Sequence, residues 1–267
     1  MNKFLMILCL TAATAWAELP HSAVPGGIAS IIVGASHEPM PNVYYQQTRV
    51  AVIEHEQSWV ALVGIPLSAK AGAHEIRVDG EGKSFTVTAK DYPEQRITLK
   101  TRKHIDLSKE DLARHKREKA KAQKVFKSHD LSQMPDIALL KPVEGPYSSP
   151  FGLKRFFNDE PRNPHSGLDI AAPTGTPIKA PAAGHVVLTG DFFFNGQVVY
   201  IDHGQGMITM FCHMSEIGVK EGQHLQKGDI VGKVGATGRV TGPHLHWSLS
   251  LNNQRVDPML LLPKEAQ

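Results

Sequence analysis

The chain has 267 residues, which exceeds the usual length of one domain and predicts two domains, each with its own hydrophobic core. Its formal net charge of +3 is small for this length and does not indicate a nucleic-acid partner. There are two cysteines, Cys9 and Cys212. If the segment that carries Cys9 is removed on export, an internal disulfide is excluded.

The segment 1–17 has the composition of a secretory signal peptide, with a lysine before an apolar run over 4–10 and a final Ala-Trp-Ala. A transmembrane helix needs about 20 apolar residues, and neither this run nor any later stretch reaches that length. Cys9 leaves a lipid-anchored form open, although Leu8 precedes it where a small residue is expected. We expect cleavage near Ala17 and a periplasmic or secreted protein.

Residues 18–105 contain short apolar runs with the alternation of half-buried strands. The runs lie at 28–33, 49–54, 59–63, 74–78 and 84–89. Between the last two runs, Asp79-Gly80 supplies residues that suit a hairpin turn. We expect a small β-sandwich in this part of the chain, without grouped catalytic side chains.

Residues 106–145 change to a basic, helix-forming composition followed by prolines. The pattern predicts a helix from Ser108 to about Lys127, with Ser108 and Asp111 in a capping box. This helix offers few apolar positions. The pattern therefore indicates either a solvated connector or a contact for anionic wall polymer or lipid head groups. We place the domain boundary after this segment.

The second domain, 146–267, is again rich in β-runs and glycine. Its runs lie at 185–188, 197–202, 207–213, 230–234 and 245–251. No long amphipathic helix interrupts them, so the expected fold class is all-β, with functional loops between strands.

Three short histidine motifs in this domain suggest a metal site. In His165-Ser166-Gly167-Leu168-Asp169, a loop enters a strand, and an imidazole and a carboxylate can converge on zinc at about 2.0–2.2 Å. His244 and His246 stand at i and i+2, so a strand projects both from one face. His213 ends an apolar run. Each motif alone also fits an ordinary surface or strand-end position.

The wider sequence around these motifs resembles the lysostaphin/LytM-type zinc metallopeptidases. Their H-x-x-x-D, strand-end His and H-x-H motifs occur here in the family's order, and the resemblance runs from about 146 to 258. The segments that carry it are SSPFGLKRFF, HSGLDIAAPTGTPIKAPAAGHVV, VVYIDHGQGMITMFCHMS, VKEGQHLQKGDIVGKVGATGRVTGPHLHWSL and RVDP. Upstream, PGGIASIIVG and WVALVGIPLSAKAG resemble the small Ig-like domain that precedes the peptidase domain in some exported members.

The resemblance implies one Zn²⁺ per peptidase domain, with three protein ligands and an open coordination position. The residues that match the ligands are His165, Asp169 and His246. His213 and His244 match the two catalytic histidines that do not bind the metal. The chain departs from the family's usual Y-x-H-L motif at two positions, where it has Phe211 and Met214, both apolar.

The implied activity is hydrolysis of peptide crosslinks in bacterial peptidoglycan. Relatives cut either glycine bridges or the D-Ala to diamino-acid bond, and the Ig-like domain with a simple signal favours the second, a D,D-endopeptidase. A non-catalytic wall-binding activator of amidases is the alternative, since some relatives have lost their zinc ligands. The expected partners are peptidoglycan stems and crosslinks, with any regulatory partner unknown.

Overall fold

The computed structural model describes residues 19–98 and 107–267, so the segment interpreted as a signal peptide and Cys9 lie outside the described residues. The predicted all-β class is confirmed, because the described residues contain one α-helix among many strands. In the first half the strands are β1 (Ile28–Ala35), β2 (Val43–Tyr45), β3 (Thr48–Arg49), β4 (Ala51–His55), β5 (Ser58–Gly64), β6 (Gly72–Val78), β7 (Glu81–Val87) and β8 (Glu94–Ile97).

The first half is a small sandwich of two antiparallel sheets. One has the strand order β1-β5-β4 and the other β3-β2-β6-β7. The β6–β7 hairpin turns at Asp79 and Gly80, both with positive φ (48° and 98°), which matches the turn predicted there. The sequence did not reveal β2, β3 and β8, which are short strands.

Strand β5 is buried on both faces, whereas its alternation predicted a half-buried strand. Ala61 and Val63 face the core of the sandwich, while Val60 and Leu62 face the opposite way into the main core of the second half. The unbroken apolar run of β5 is typical of such two-sided burial. The sheet β1-β5-β4 is therefore a layer between two cores.

The helix α1 (Lys109–Phe126) begins where the capping pattern predicted it, with Ser108 Oγ accepting a hydrogen bond from the Asp111 N–H at 3.0 Å. Its last turn is not a solvated connector. Phe126 is buried in an apolar cluster with Tyr200 and Met210 of the second half. Glu118 Oε2 accepts from the Phe193 N–H at 2.9 Å. No helix in the described ranges is both long and apolar enough to cross a membrane.

The strands of the second half follow the helix and a proline-rich segment. They are β9 (Tyr147–Ser149), β10 (Lys154–Phe157), β11 (Glu160–Pro161), β12 (Leu168–Ala171), β13 (Pro177–Lys179), β14 (Gly184–Phe192), β15 (Gly196–Asp202), β16 (Ile208–Met214), β17 (Glu216–Ile217), β18 (His224–Leu225), β19 (Ile230–Lys233), β20 (His244–Leu251) and β21 (Gln254–Val256). Two short 3-10 helices, Pro258–Leu261 and Lys264–Ala266, follow them.

The main sheet has the order β18-β14-β15-β16-β20-β12-β9, with β21 paired to β20. On β20, Leu245, Trp247 and Leu249 point into the main core, which also takes side chains from β1, β4 and β5. The alternate positions, including His244 and His246, therefore point to the opposite face. Farther along that opposite face, the apolar cluster around Phe126 places α1 against the sheet.

Two side-chain amides join the halves at the far end of the main sheet. Asn252 accepts from the Gly64 N–H at 2.7 Å and donates to the Gly64 carbonyl at 3.0 Å. Gln205 makes the same paired contact with the backbone of Val52, at 2.8 and 3.0 Å. A third connection is β8, which pairs in parallel with β10. The two halves thus share a core and a sheet edge.

Candidate metal centre

The central pair of the site comes from two neighbouring strands. Asp169 on β12 stands directly opposite His246 on β20, and such cross-strand positions bring side chains into contact. Asp169 Oδ1 lies 2.8 Å from His246 Nδ1. The i, i+2 spacing places His244 on the same face, while Leu245 is buried in the core behind.

His165 reaches this pair from the loop that precedes β12. Its backbone is fixed by hydrogen bonds to Gly152 and Leu153, at 2.8 and 2.9 Å. Its Nε2 atom lies 3.0 Å from both Asp169 Oδ1 and His246 Nδ1. Among the described residues, these three are the one cluster of His, Cys, Asp and Glu with metal-site spacing.

Gly167 leaves the space that the ring of His246 occupies. A Cβ atom at this position would come within 2.6 Å of His246 Cε1 and 2.7 Å of Ser248 Oγ. A side chain here would therefore displace the imidazole. The glycine in the His165 to Asp169 segment serves close packing at the site as well as the turn.

The hydrogen-bond partners assign the protons of both imidazoles. His165 Nδ1 lies 2.9 Å from the Pro150 carbonyl, so Nδ1 carries the proton and Nε2 presents a lone pair. Ser248 Oγ donates to the Ser166 carbonyl at 3.1 Å and therefore accepts from His246 Nε2 at 3.0 Å. This leaves the lone pair of His246 on Nδ1.

Three lone-pair-bearing atoms therefore converge within 3.0 Å, with no proton assigned between them. Burial raises the pKa of Asp169, but hydrogen bonds and charge from His165 and His246 in their protonated forms outweigh this and hold the pKa well below its usual range, so the carboxylate stays anionic. An anionic carboxylate and two correctly oriented imidazoles form a donor set that fits a divalent cation, and Zn²⁺ prefers such nitrogen and oxygen ligands.

A β-bulge explains the orientation of His213. Regular alternation along β16 would point His213 into the core beside Phe211, but the pairing with β15 shifts register here, and His213 has φ of +62°. Its ring centroid instead lies 4.9 Å from that of His244 and 6.1 Å from that of His246. The bulge thus brings His213 to the face that carries the other histidines.

Both remaining histidines present Nε2 to the site. His213 Nδ1 donates to the Thr237 carbonyl and His244 Nδ1 donates to the Gly242 carbonyl, each at 2.9 Å. Burial, followed by the charges of the neighbouring imidazoles, lowers the pKa of His213 to about 4. His213 is therefore neutral near pH 7 and can accept a proton there.

The five residues predicted from the sequence are thus all brought together. The sequence did not reveal two supporting groups. Ser248 stands two residues after His246, so the same-face rule could have found it. Arg155 Nη2 lies 3.8 Å from Asp169 Oδ2 and 3.1 Å from Ser149 Oγ, and no spacing rule connects it to the site.

The other histidines of this half, to which no chemistry was assigned, lie elsewhere. His203 is buried between the Ala183 carbonyl and the Thr209 hydroxyl, at 2.8 and 2.7 Å. His185 and His224 face each other across β14 and β18, with ring centroids 3.5 Å apart. None of them belongs to the cluster around Asp169.

Comparison with known families and structures gives consistent matches in both halves. Residues 163–258 match the model of peptidase family M23, and residues 21–90 match the model of the M23 N-terminal domain. A crystal structure of a putative peptidase M23 from Pseudomonas aeruginosa is 45% identical in sequence, with a TM-score of 0.78. That match covers 91% of this chain and 96% of the other.

Two curated relatives match part of the chain. DD-carboxypeptidase/endopeptidase Mpg of Neisseria meningitidis serogroup B is 40% identical over 112 residues, covering 42% of this chain and 26% of Mpg. Peptidoglycan DD-endopeptidase ShyA of Vibrio cholerae serotype O1 is 44% identical over 96 residues, covering 36% of this chain and 22% of ShyA. The matched segments thus span about a quarter of each of these relatives.

Proposed function

We propose, from the premise that the chain belongs to peptidase family M23, that it is an exported zinc endopeptidase that cleaves peptide crosslinks in bacterial peptidoglycan. The observation that carries this proposal is the convergence of three metal-binding lone pairs beside two further imidazoles. The lone pairs belong to His165, Asp169 and His246, and the two further imidazoles are those of His213 and His244. A purely structural metal site would not need the second pair.

His165, Asp169 and His246 would hold the zinc ion through Nε2, a carboxylate oxygen and Nδ1. When bound, the ion would act as a Lewis acid that polarises the scissile carbonyl, and it would lower the pKa of its bound water to about 7. Ser248 and the Pro150 carbonyl hold the two imidazoles in the tautomers that ligation requires. Because these partners belong to the folded chain, the site is preorganised for the ion.

His213 is the proposed general base. Its Nε2 accepts the proton of the attacking water as the water oxygen bonds to the carbonyl carbon, and then delivers that proton to the amine as the C–N bond breaks. His244 Nε2 lies 3.9 Å from Asp169 Oδ1 and accepts a hydrogen bond that orients the same water. The two roles can be exchanged between these histidines without changing the overall proton balance.

The proposed bond is the one between D-alanine and a diamino acid. The names of both curated relatives include DD-endopeptidase or DD-carboxypeptidase/endopeptidase, and each is at least 40% identical to this chain over the matched residues. Peptidoglycan lies outside the cytoplasmic membrane, so this activity also fits the proposed export, cleavage near Ala17 and periplasmic or secreted location.

Digestion of purified peptidoglycan tests the proposal. The full chain loaded with zinc should release uncrosslinked muropeptides, a chelator should stop the release, and added zinc should restore it. Mass spectrometry of the products identifies the bond. Failure to convert crosslinked muropeptides with zinc bound, together with stimulation of a wall amidase, would instead support the non-catalytic activator.

A further inference from the structure

Three arginines lie on the two chain segments that lead into His165 and His244. Two come from one hairpin, where the Arg162 N–H donates to the Arg155 carbonyl at 2.8 Å. Continuing the β10–β11 register from Phe156 and Pro161 places the two arginines opposite each other, so their side chains share a face. Arg155 reaches the site itself, because its Nη2 lies 3.8 Å from Asp169 Oδ2.

Arg239 belongs to the loop that leads into His244. Its backbone N–H donates to the Phe194 carbonyl at 3.0 Å, and its guanidinium carbon lies 4.4 Å from the centroid of the Phe194 ring. This stacking fixes the direction of a long side chain. The loop is also tied to the site, since the adjacent Thr237 carbonyl accepts from His213 Nδ1.

The positive charges on the two sides act on each other. Burial by neighbouring atoms, followed by the charges of Arg155 and Arg162, lowers the pKa of Arg239. Part of the charge is balanced within the hairpin, where Glu160 Oε2 lies 2.6 Å from Arg162 Nη2. An anion bound between these segments would be attracted by all three guanidinium groups. About a third of the side-chain surface of Arg155 and Arg162 remains accessible to such an anion.

Carboxylate is the anion that this arrangement fits. Guanidinium groups donate two parallel N–H bonds to a carboxylate, a geometry that an ammonium group cannot offer. The substrate under the proposed function carries such a group beside the reacting bond. In a D-alanyl to diamino-acid crosslink, the carbon attached to the scissile nitrogen bears a carboxylate. Within a glycine bridge, the corresponding carbon is followed by a neutral amide.

We propose that Arg155, Arg162 and Arg239 form a carboxylate-binding wall that recognises the carboxylate next to the scissile nitrogen of the substrate. The wall selects crosslinks with a free carboxylate at that carbon over neutral bridges. It rests on the proposed peptidase function and adds the chemical feature by which the bond is chosen. Arg155 also contacts Asp169 and Ser149, so Arg239 is the residue whose removal tests recognition without disturbing the metal-binding residues.

The test compares two synthetic crosslinked peptides that differ only at this group, one with the free carboxylate and one with its amide. For the zinc-loaded full chain, we expect kcat/KM to favour the free carboxylate by about tenfold or more. The variant Arg239→Gln should lose most of that preference, mainly through KM, with zinc content unchanged by elemental analysis. Hydrolysis of the amidated peptide should fall far less in Arg239→Gln than hydrolysis of the peptide with the free carboxylate.

A matched control removes one positive charge elsewhere. Arg77 is an exposed residue of β6 in the first half, and Arg77→Gln should leave the preference intact. Equal rates of hydrolysis of the two peptides would contradict the proposed carboxylate-binding wall. A preference for the free carboxylate that survives Arg239→Gln would also contradict it. A loss shared by Arg77→Gln would show general attraction to anionic substrate and would also overturn it.

A binding measurement separates this proposal from the activity. Calorimetric titration of both peptides into zinc-loaded His213→Asn should show tighter binding of the free carboxylate, and Arg239→Gln in that background should abolish the difference. If wild-type protein hydrolyses neither peptide but the binding preference holds, the peptidase proposal fails and the wall stands. If hydrolysis occurs without any binding or kinetic preference, the wall alone fails.

Discussion

The two ends of strand β20 bury polar side chains in opposite ways. At the docking end, defined by Gln205 and Asn252, every buried amide donor meets an acceptor and every acceptor meets a donor. At the metal end, defined by His165, Asp169 and His246, three acceptors meet one another. The first arrangement is satisfied by the chain alone.

This contrast distinguishes a structural contact from a set of cation ligands. Buried polar groups normally find complementary partners, because an unpaired group costs about 1–3 kcal/mol. The docking end obeys this rule with groups from two domains. The metal end departs from this rule while further hydrogen bonds hold its imidazole tautomers, so the arrangement is fixed and suits a cation.

Removing the carboxylate at the metal end should have the largest effect. In Asp169→Ala, we expect zinc to be lost on purification and crosslink hydrolysis to fall by roughly a thousandfold or more, since both Lewis acidity and water activation depend on the ion. Elemental analysis and muropeptide release measure the two losses.

The matched control is Asp136→Ala, which removes an exposed carboxylate paired with Lys227 at 3.0 Å. Zinc content and hydrolysis should then remain at the wild-type level. Stoichiometric zinc in Asp169→Ala would show that the three convergent acceptors do not act as the ligand set.

The next largest effect is expected from His213. The substitution His213→Asn suits the positive φ of +62° and removes the proton acceptor without creating backbone strain. Turnover should fall by about 10²- to 10⁴-fold, while zinc content is retained. The same measurement on His244→Asn assigns the roles, because the larger loss of kcat identifies the general base. Full activity in His213→Asn would exclude this residue as the base.

The metal end was largely predictable because much of it follows from strand periodicity. The i, i+2 rule placed His244 and His246 on one face, and the loop that enters a strand between His165 and Asp169 indicated that these two side chains can converge. His213 was the exception. Its alternation with Phe211 predicts a core position, and a bulge that depends on pairing with another strand reverses it. The resemblance to known peptidases identified His213 where local pattern could not.

The docking end could not be predicted from the sequence. Gln205 and Asn252 lie in turns with positive φ and read as ordinary turn residues. Their partners, Val52 and Gly64, are more than 150 residues away, and no local rule connects positions at that separation. The apolar run of β5 did contain a signal, since the consecutive apolar residues Val60, Ala61, Leu62 and Val63 indicate burial on both faces.

At the docking end, Asn252→Gly should lower the free energy of unfolding by about 2–4 kcal/mol. Glycine tolerates the positive φ of 40°, so the loss reflects the buried Gly64 N–H and carbonyl left without partners. Urea unfolding of the chelated protein measures the loss, and kcat/KM should stay near wild type below the transition. The control Asn253→Gly, at φ of 61° in the same turn, makes neither hydrogen bond and should cost much less.

The smallest effect is a dependence of the docking end on pH. His203, two residues before Gln205, is fully buried, and this burial lowers its pKa, although the Ala183 carbonyl and Asp202 act in the opposite direction. The unfolded chain, with an imidazole pKa of about 6.5, binds a proton below that pH that the folded protein does not. The stability supplied by His203 is therefore complete above about pH 6.5 and is lost as the pH falls toward the folded pKa.

The variant His203→Gln keeps hydrogen-bonding groups near Ala183 and Thr209 but cannot titrate. We expect the difference in unfolding free energy between wild type and variant to be constant above about pH 7. Below about pH 6 the wild-type advantage should shrink by up to about 1.4 kcal/mol per unit, the limit for one proton. Urea unfolding with chelator present measures this without competition between protons and metal. A difference independent of pH would mean that the acid sensitivity of this end arises from groups other than His203.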